Sequence, residues 1–471
     1  MLEKQNFIPE PEEFIEEQLT EKITELIKDK KLGLVRSILA EMNPADIAIL
    51  FGEIEEEHLP LLFRILPKEL AAETFAEMDP DQQELLISVF SDRELSDVIN
   101  DLFVDDAVDL VEEMPALMVQ RILKHAHPEM RKSINELLKY PKDSAGSIMT
   151  TEYVSLKKDM TVAQSFDRIR KTGVDKETIY TCYVTDRSRH LLGLTSAKDL
   201  LLSDGDAVIG DMMETNIISV STLDDKEDVA LMFDKYGFLA MPVVDAENRL
   251  VGIVTVDDAI DVMQEEHTED LEKMAAIVPS EDTYLKIPSW KHARNRIPWL
   301  LFLMLSATIT GAILQYYENA FVAIPILVAF VPMLMGTGGN CSSQSSTTII
   351  RGLALEELKT RDFWRVLFKE CKVALMSGLT LAVVNALRVF IMYRNNTDVL
   401  GQISLSKLTL ISGLSLVGTV LLAKAMGCIL PMLAKKVKID PALMAAPLLS
   451  TILDACSVLI FFNIATRLLG L

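Results

Sequence analysis

Residues 441–462 read PALMAAPLLSTILDACSVLIFF, an apolar stretch long enough to cross a bilayer, with one acid, Asp454, near its middle. The nearest charged residues are Asp440 and Arg467. A carboxylate at membrane depth is costly and marks either a partner or a water-filled path. Two readings are open here: a structural bridge to Lys424, or a cation site. Pro441 and Pro447 lack backbone donors, and Pro447 is expected to free the Leu443 carbonyl and interrupt the helix.

Working outward, five apolar runs of spanning length follow residue 290, near 297–317, 320–338, 371–393, 408–431 and 442–467. The second is expected to end in PMLMGTGGNCSSQSSTTIIRG (332–352), whose Gly336, Gly338, Gly339, Asn340 and Gln344 would break a helix. Such irregular backbone is tolerated at depth only where protein or water satisfies it; close helix packing is the alternative. Arg388 and Lys424 are expected nearer span ends, able to snorkel. Bases are frequent before the first span, after the second and after the fourth, and sparse in the other loops. The positive-inside rule then places the N-terminal body in the cytoplasm and the C-terminus outside.

Charge divides the chain in the same place. Residues 1–290 carry 29 Lys/Arg against 61 Asp/Glu, whereas the remainder carries 17 against 8. An acidic body argues against a nucleic-acid partner, which requires a basic face. The N-terminus MLEKQNFIPEPEEF has neither the basic nor the apolar region of a signal peptide. Five cysteines without CxxC spacing suggest neither a disulfide framework nor a zinc site, as in a reducing compartment.

Residues 148–262 contain a repeat of roughly 60 residues, each unit patterned strand, helix, two strands and a closing helix. GLTSAKDLL (193–201) is answered by GIVTVDDAI (252–260). This resembles a tandem pair of CBS domains, some of which bind adenosyl ligands. The matching positions are Ser196 and Asp199, then Thr255 and Asp258; a plain helix cap is the alternative. Residues 10–140 are short apolar-periodic helical segments, spaced roughly 24 residues apart as in a small solenoid of helix pairs. No HExxH, nucleophile elbow, P-loop or GxGxxG is present, so nothing suggests an enzyme. Between 257 and 272, Asp257, Asp258, Asp261, Glu265, Glu266, Glu269, Asp270 and Glu272 crowd together without an intervening Lys or Arg. One long helix running toward the membrane is expected there. It is either a solvated face or, since neighbouring acids on a helix repel, part of a divalent-ion sensor.

In this order the parts resemble the MgtE magnesium transporters over essentially the whole chain. The specific motifs are PMLMGTGGNxxxQ in 332–344 and DPALxxxPLLxTxxD in 440–454. The resemblance implies an all-α superhelical N domain (1–140), α+β tandem CBS domains (141–202 and 203–262), an acidic plug or connecting helix (257–290) and an α-helical five-span membrane domain (291–471). It further implies a homodimer in a bacterial inner membrane, passing Mg²⁺ between its second and fifth spans. Asp454 would hold the ion, with Asn340, Gly336, Ser450 and Pro447 lining the pore. Cytosolic Mg²⁺ would close it through the plug acids Asp258, Asp261, Glu269 and Asp270, with Asp440 meeting the plug across a shared ion. Glu73, Asp105 and Asp109 would face the CBS pair around Gly146, and Asp225 and Glu227 would add ligands in the second CBS repeat. The resemblance also implies ATP as a ligand of the CBS pair, with one departure: ATP-binding members carry an aromatic where this chain has Thr181.

Three rival readings remain. Another divalent cation, such as Mn²⁺ or Co²⁺, could be the cargo. A CBS-regulated anion channel would need basic sites in the membrane, and a nucleotide-sensing membrane scaffold would tolerate loss of Asp454. A reporter fused after Leu471 should be extracytoplasmic while one on the N-terminal body is cytosolic; a cytosolic C-terminal reporter would mean a span is missing or extra.

Overall fold

The computed structural model describes residues 12–280, 284–285, 287–355, 357–395, 403–444 and 446–470. The chain forms two compact units, Met1–Met263 and Gln264–Leu471.

The first unit begins with ten helices, from Glu12–Lys28 to Pro128–Leu137. Prolines mark several of their boundaries: Pro44, Pro80 and Pro128 open helices, and Pro67 and Pro115 follow the ends of two others. A residue preceding proline avoids the helical region, and Asn43, Leu66, Asp79, Met114 and His127, each just before a proline, are all extended, with ψ of 143–154°. Helices Pro44–Glu53, Lys68–Ala76, Asp92–Asp101 and Ala116–His125 start 24 residues apart and pack each on the next. Their buried faces form a core through Ile47, Phe51, Phe75, Leu95, Ile99 and Ile122. That core continues without a break into Val220, Val229, Met241, Val254 and Ala259 of the second CBS repeat.

Each repeat has a three-stranded sheet: β1 (Tyr153–Lys157), β2 (Thr178–Thr185) and β3 (Leu191–Ser196), then β4 (Val220–Ser221), β5 (Ala240–Val244) and β6 (Leu250–Thr255). The first pair of strands in each sheet is parallel and the second antiparallel. Tyr183, Leu191, Ala240, Val244, Leu250 and Ile253 join the two sheets. The repeats also cross-pair, Thr150 with Ile253 and Leu194 with Glu214. That crossing explains the glycine of the repeated motif. A Cβ at Gly193 would come within 2.9 Å of the Glu214 carbonyl oxygen, and one at Gly252 within 2.7 Å of that of Thr150.

The acidic helix after β6, Val256–Met274, is shorter than expected. It stops at Met274, Ala276 turns to φ 57°, and Pro279 and Pro288 separate it from the next helix, Ser289–Tyr316.

Five helices among the described residues are long and apolar enough to span a membrane: Ser289–Tyr316, Pro325–Ala354 (a 3₁₀ turn to Phe330, then α from Val331), Thr360–Tyr393 (α from Phe363), Leu405–Lys436 and Pro441–Leu469 (α from Ala446). Two expectations are corrected here. The helix Val331–Ala354 runs unbroken through Gly336–Asn340 and does not end near 338. Its hydroxyls turn back on the same helix, Thr337 Oγ1 to the Met333 carbonyl (2.7 Å) and Ser342 Oγ and Ser343 Oγ to that of Gly339 (2.8 and 3.0 Å). Gly338 serves close packing, as small residues do between membrane helices: a Cβ there would lie 2.9 Å from Ser457 Oγ and 3.1 Å from Thr419 Cγ2. Pro447, in turn, is the second residue of its helix, where a missing N–H costs nothing, so it interrupts no helix.

Gly338→Val should therefore destabilise the membrane helices by about 1–3 kcal/mol, the usual cost of overpacking. Gly336→Ala, with no atom within 4 Å of the new Cβ, should be neutral or slightly stabilising. Thermal unfolding in detergent checks the contrast.

Candidate cation sites

In the first unit, carboxylates converge from two helices and the starts of two strands. The helix Val104–Glu113 supplies Asp105 and Asp106 in its first turn. Glu152 and Glu177 directly precede β1 and β2 and are joined by a Glu177 N–H to Glu152 carbonyl bond of 2.9 Å. Asp257 and Asp258 open the helix after β6. Glu152 Oε2 accepts the Val104 N–H at 3.1 Å, so this acid sits on a helix N-terminus, which favours negative charge. One oxygen each from Asp105, Glu152 and Glu177 lies within 4.8 Å of the others. Asp105 Oδ1 and Glu177 Oε2 are enclosed without a hydrogen-bond partner among the described residues.

Burial, then the neighbouring carboxylates, pushes these groups up: Asp106 to about 6, Glu177 to about 8, and Asp105 well above the usual range. Burial likewise raises Asp258 to about 7, against the bond it accepts from Thr255 and with the help of Asp257 and Asp106. An all-oxygen, all-anionic set of this kind suits a hard divalent cation such as Mg²⁺ or Ca²⁺.

The other positions fall differently. Asp109 and Asp261 lie one turn beyond Asp105 and Asp258 with accessible side chains, yet Asp109 is pushed up to about 7 by crowding on its inner side and by the charges of Asp258 and Asp106. Glu73 lines a hollow of about 290 Å³ with Asp101 and Asp106, near the Lys68–Asp101 ion pair. Gly146 is buried, its N–H on the Thr222 carbonyl (3.0 Å) and its Cα against the Tyr140 ring. Asp225 caps the helix Lys226–Tyr236 by accepting the Glu227 N–H at 2.9 Å. Ser196 and Asp199 form a reciprocal capping box at the end of β3, and Thr255 likewise donates to Asp258.

In the second unit, Lys273 is the base that ends the acidic run. Its Nζ lies 2.5 Å from Glu269 Oε1 and 2.7 Å from Asp440 Oδ2. Burial alone would lower its pKa; the bonds to Asp440 and Glu269 outweigh that and raise it. Thus Glu269 and Asp440 do meet, across an ammonium of the chain itself. Asp440 Oδ1 accepts the Ala442 N–H (2.8 Å) and so caps the turn leading into the last span. Asp270 is shifted upward by burial and by the charge of Asp440.

Asp454 is partly buried and has no hydrogen-bond or ion-pair partner among the described residues. Spacing puts it on one face of its helix with Pro447, Ser450 and Thr451. A Cβ at Gly339 would stand 3.4 Å from Ser450 Cβ, so this region packs on the second span. There Gly336, Asn340 and Gln344 form an exposed stripe at intervals of four. Lys424 neither bridges Asp454 nor snorkels. It is 5 % exposed, and its Nζ donates to Ser345 Oγ at 3.2 Å, because Gly427 one turn away lets the two helices approach.

Comparison with known proteins accords with this arrangement. The model of the divalent cation transporter family MgtE matches residues 331–464, that of the MgtE intracellular N domain 14–143, and that of the CBS domain 145–204 and 209–265. The magnesium transporter MgtE of Thermus thermophilus is 35 % identical over 97 % of this chain and 99 % of its own. The chain belongs to the MgtE family. The MgtE of Bacillus subtilis is 33 % identical over 96 % and 97 % of the two chains. A crystal structure of the soluble part of a magnesium transporter is 31 % identical and superposes with a TM-score of 0.50 over 53 % of this chain and 99 % of that one. This MgtE chain is thus a multi-pass membrane protein with a helical N domain and tandem CBS domains.

Sequence reasoning missed Glu152, Glu177, Asp106 and Asp257 as neighbours of Asp105 and Asp258, since nothing local distinguishes an acid that precedes a strand. Lys273 carried a signal, as the base that closes a run of eight acids.

The raised carboxylates set a pH dependence. Their folded values exceed the unfolded value of about 4, so the folded state binds more protons. The associated stability is complete below about pH 4 and is lost as pH rises through about 6 to about 8. In chelator, the melting temperature of the full chain should fall between about pH 5.5 and about pH 8, and millimolar Mg²⁺ should restore it at the upper end.

Proposed function

We propose that this protein is a homodimeric magnesium transporter that admits Mg²⁺ past Asp454 and is closed by Mg²⁺ bound to its cytosolic acids. The observation that carries the reading is the Asp454 carboxylate within the last span, without a partner among the described residues and on the face shared with Ser450. The named relatives, similar along nearly their whole length, support magnesium as the cargo.

Mg²⁺ surrenders water reluctantly and is usually held by one or two carboxylates plus retained waters. A two-fold axis would set two Asp454 residues against one dication, enough to neutralise it without trapping it. An inside-negative potential of roughly 100 mV contributes about 4.6 kcal/mol per dication, so entry needs no coupled ATPase. Gly336 and Asn340 of the second span line the path with backbone and amide oxygen, through which a hydrated ion can pass.

Closure follows from charge. The soluble unit lies in the cytosol and the C-terminus outside, as the loop bases require. Cations entering among Asp105, Glu152, Glu177 and Asp258 relieve the repulsion that opposes compaction. At the mouth, Lys273 keeps Glu269 against Asp440, and a cation between Asp270 and Asp440 would relieve the remaining repulsion there. An adenine nucleotide at the turn bearing Ser196 and Asp199 would bind by breaking their mutual cap.

Asp454→Asn should abolish Mg²⁺ uptake into proteoliposomes while the variant assembles normally. Uptake by the unmodified protein should also fall as Mg²⁺ on the cytosolic face is raised. Wild-type rates in Asp454→Asn would refute the assignment of the path.

A further inference from the structure

A second charge lies within the membrane helices, and it is positive. Lys424 stands well inside the helix Leu405–Lys436 and is 5 % exposed. Its ammonium carries three donors, yet among the described residues it makes one hydrogen bond, to Ser345 Oγ. That hydroxyl donates onward to Glu370 Oε2 at 2.6 Å. The relay is therefore polarised throughout, from ammonium to hydroxyl to carboxylate, and joins the second, third and fourth spans. An intramembrane charge that pairs only through a hydroxyl is a functional residue by default.

Lys424 also lines a cavity of about 520 Å³, together with Asn340, Gln344, Ser377 and Thr380. Asn340 and Gln344 belong to the exposed stripe of the second span that includes Gly336. The ammonium thus borders a space of mixed polar and apolar lining, which includes Asn340 and Gln344 of the face assigned above to the ion path.

We propose that Lys424 is a rate-determining residue of this path: its fixed positive charge offsets Glu370 and keeps the cation well near Asn340 shallow enough for release. The proposal rests on the transport reading given above. A path for a dication must attract the ion enough to admit it and hold it weakly enough to let it go. Glu370 alone would deepen the well toward the cytosolic end, and Lys424 cancels that excess. Because Glu370 balances the ammonium, the pair makes no net anion site.

The test is Mg²⁺ uptake by the full chain in proteoliposomes, resolved into KM and kcat. Lys424→Met should lower KM roughly threefold to tenfold and lower kcat with it, the effect of one lost screened charge on a nearby dication. Glu370→Gln alone should raise KM, and Lys424→Met with Glu370→Gln should return to within about twofold of the unmodified protein. A purely structural relay predicts the reverse pattern, with the double variant no better than either single one. An unshifted KM in folded Lys424→Met would overturn the inference while leaving the transport reading intact. Should Lys424→Met fail to fold, an unshifted KM in Glu370→Gln overturns it equally. Absence of Mg²⁺ uptake by the unmodified protein would overturn both readings.

Discussion

Carboxylates buried against carboxylates are the constraint from which the soluble part of this protein takes its character. Asp105, Asp106, Glu177 and Asp258 are all held above the usual carboxylate range by burial and by one another, with no base among the causes. Such a cluster is comfortable when protonated or when it surrounds a cation. As pH rises through these values the proton leaves, and a hard divalent ion is the natural substitute. The apolar core shared by the N-terminal helices and the second CBS repeat holds the acids together despite their repulsion.

The membrane helices treat charge in two contrasting ways. Asp454 has no hydrogen-bond or ion-pair partner among the described residues. Lys424 is instead tied through Ser345 to Glu370, so that its charge is spread over three helices. Both arrangements require helices to approach closely, and small residues permit it. Gly338 lies against Ser457 and Thr419, and Gly427 lies against the backbone of Ser342. The glycine-rich stretch of the second span thus serves packing and polarity at once, without any break in the helix.

The acidic helix Val256–Met274 shows how one pattern can be resolved locally in two ways. At its start, Asp257 and Asp258 add negative charge to an already acidic cluster. Near its end, Lys273 pairs Glu269 with Asp440 and supplies the cation that the acids lack. A like-charged helix face need not be uniform in role.

Much of this was legible in the sequence, because it depends on properties that survive without coordinates. Spanning length, the division of charge at residue 290, the 24-residue spacing of the N-terminal helices and the doubled GLTS/GIVT motif each follow from local composition or periodicity. So did the isolation of Asp454, which a linear reading detects as the lack of any charge nearby. What the linear reading could not supply were pairings across long separations. Lys424 appeared able to reach the interface, and only the packing that buries it beside Ser345 shows otherwise. Glu152 and Glu177 precede strands without any local signal, and only the fold brings them to Asp105. The glycines at 336–339 could as well have broken the helix as packed it, and only the position of Ser457, more than 100 residues later, decided the matter. Local signals report what a residue prefers, whereas the tertiary structure decides which distant group it meets, and charge is governed by that meeting.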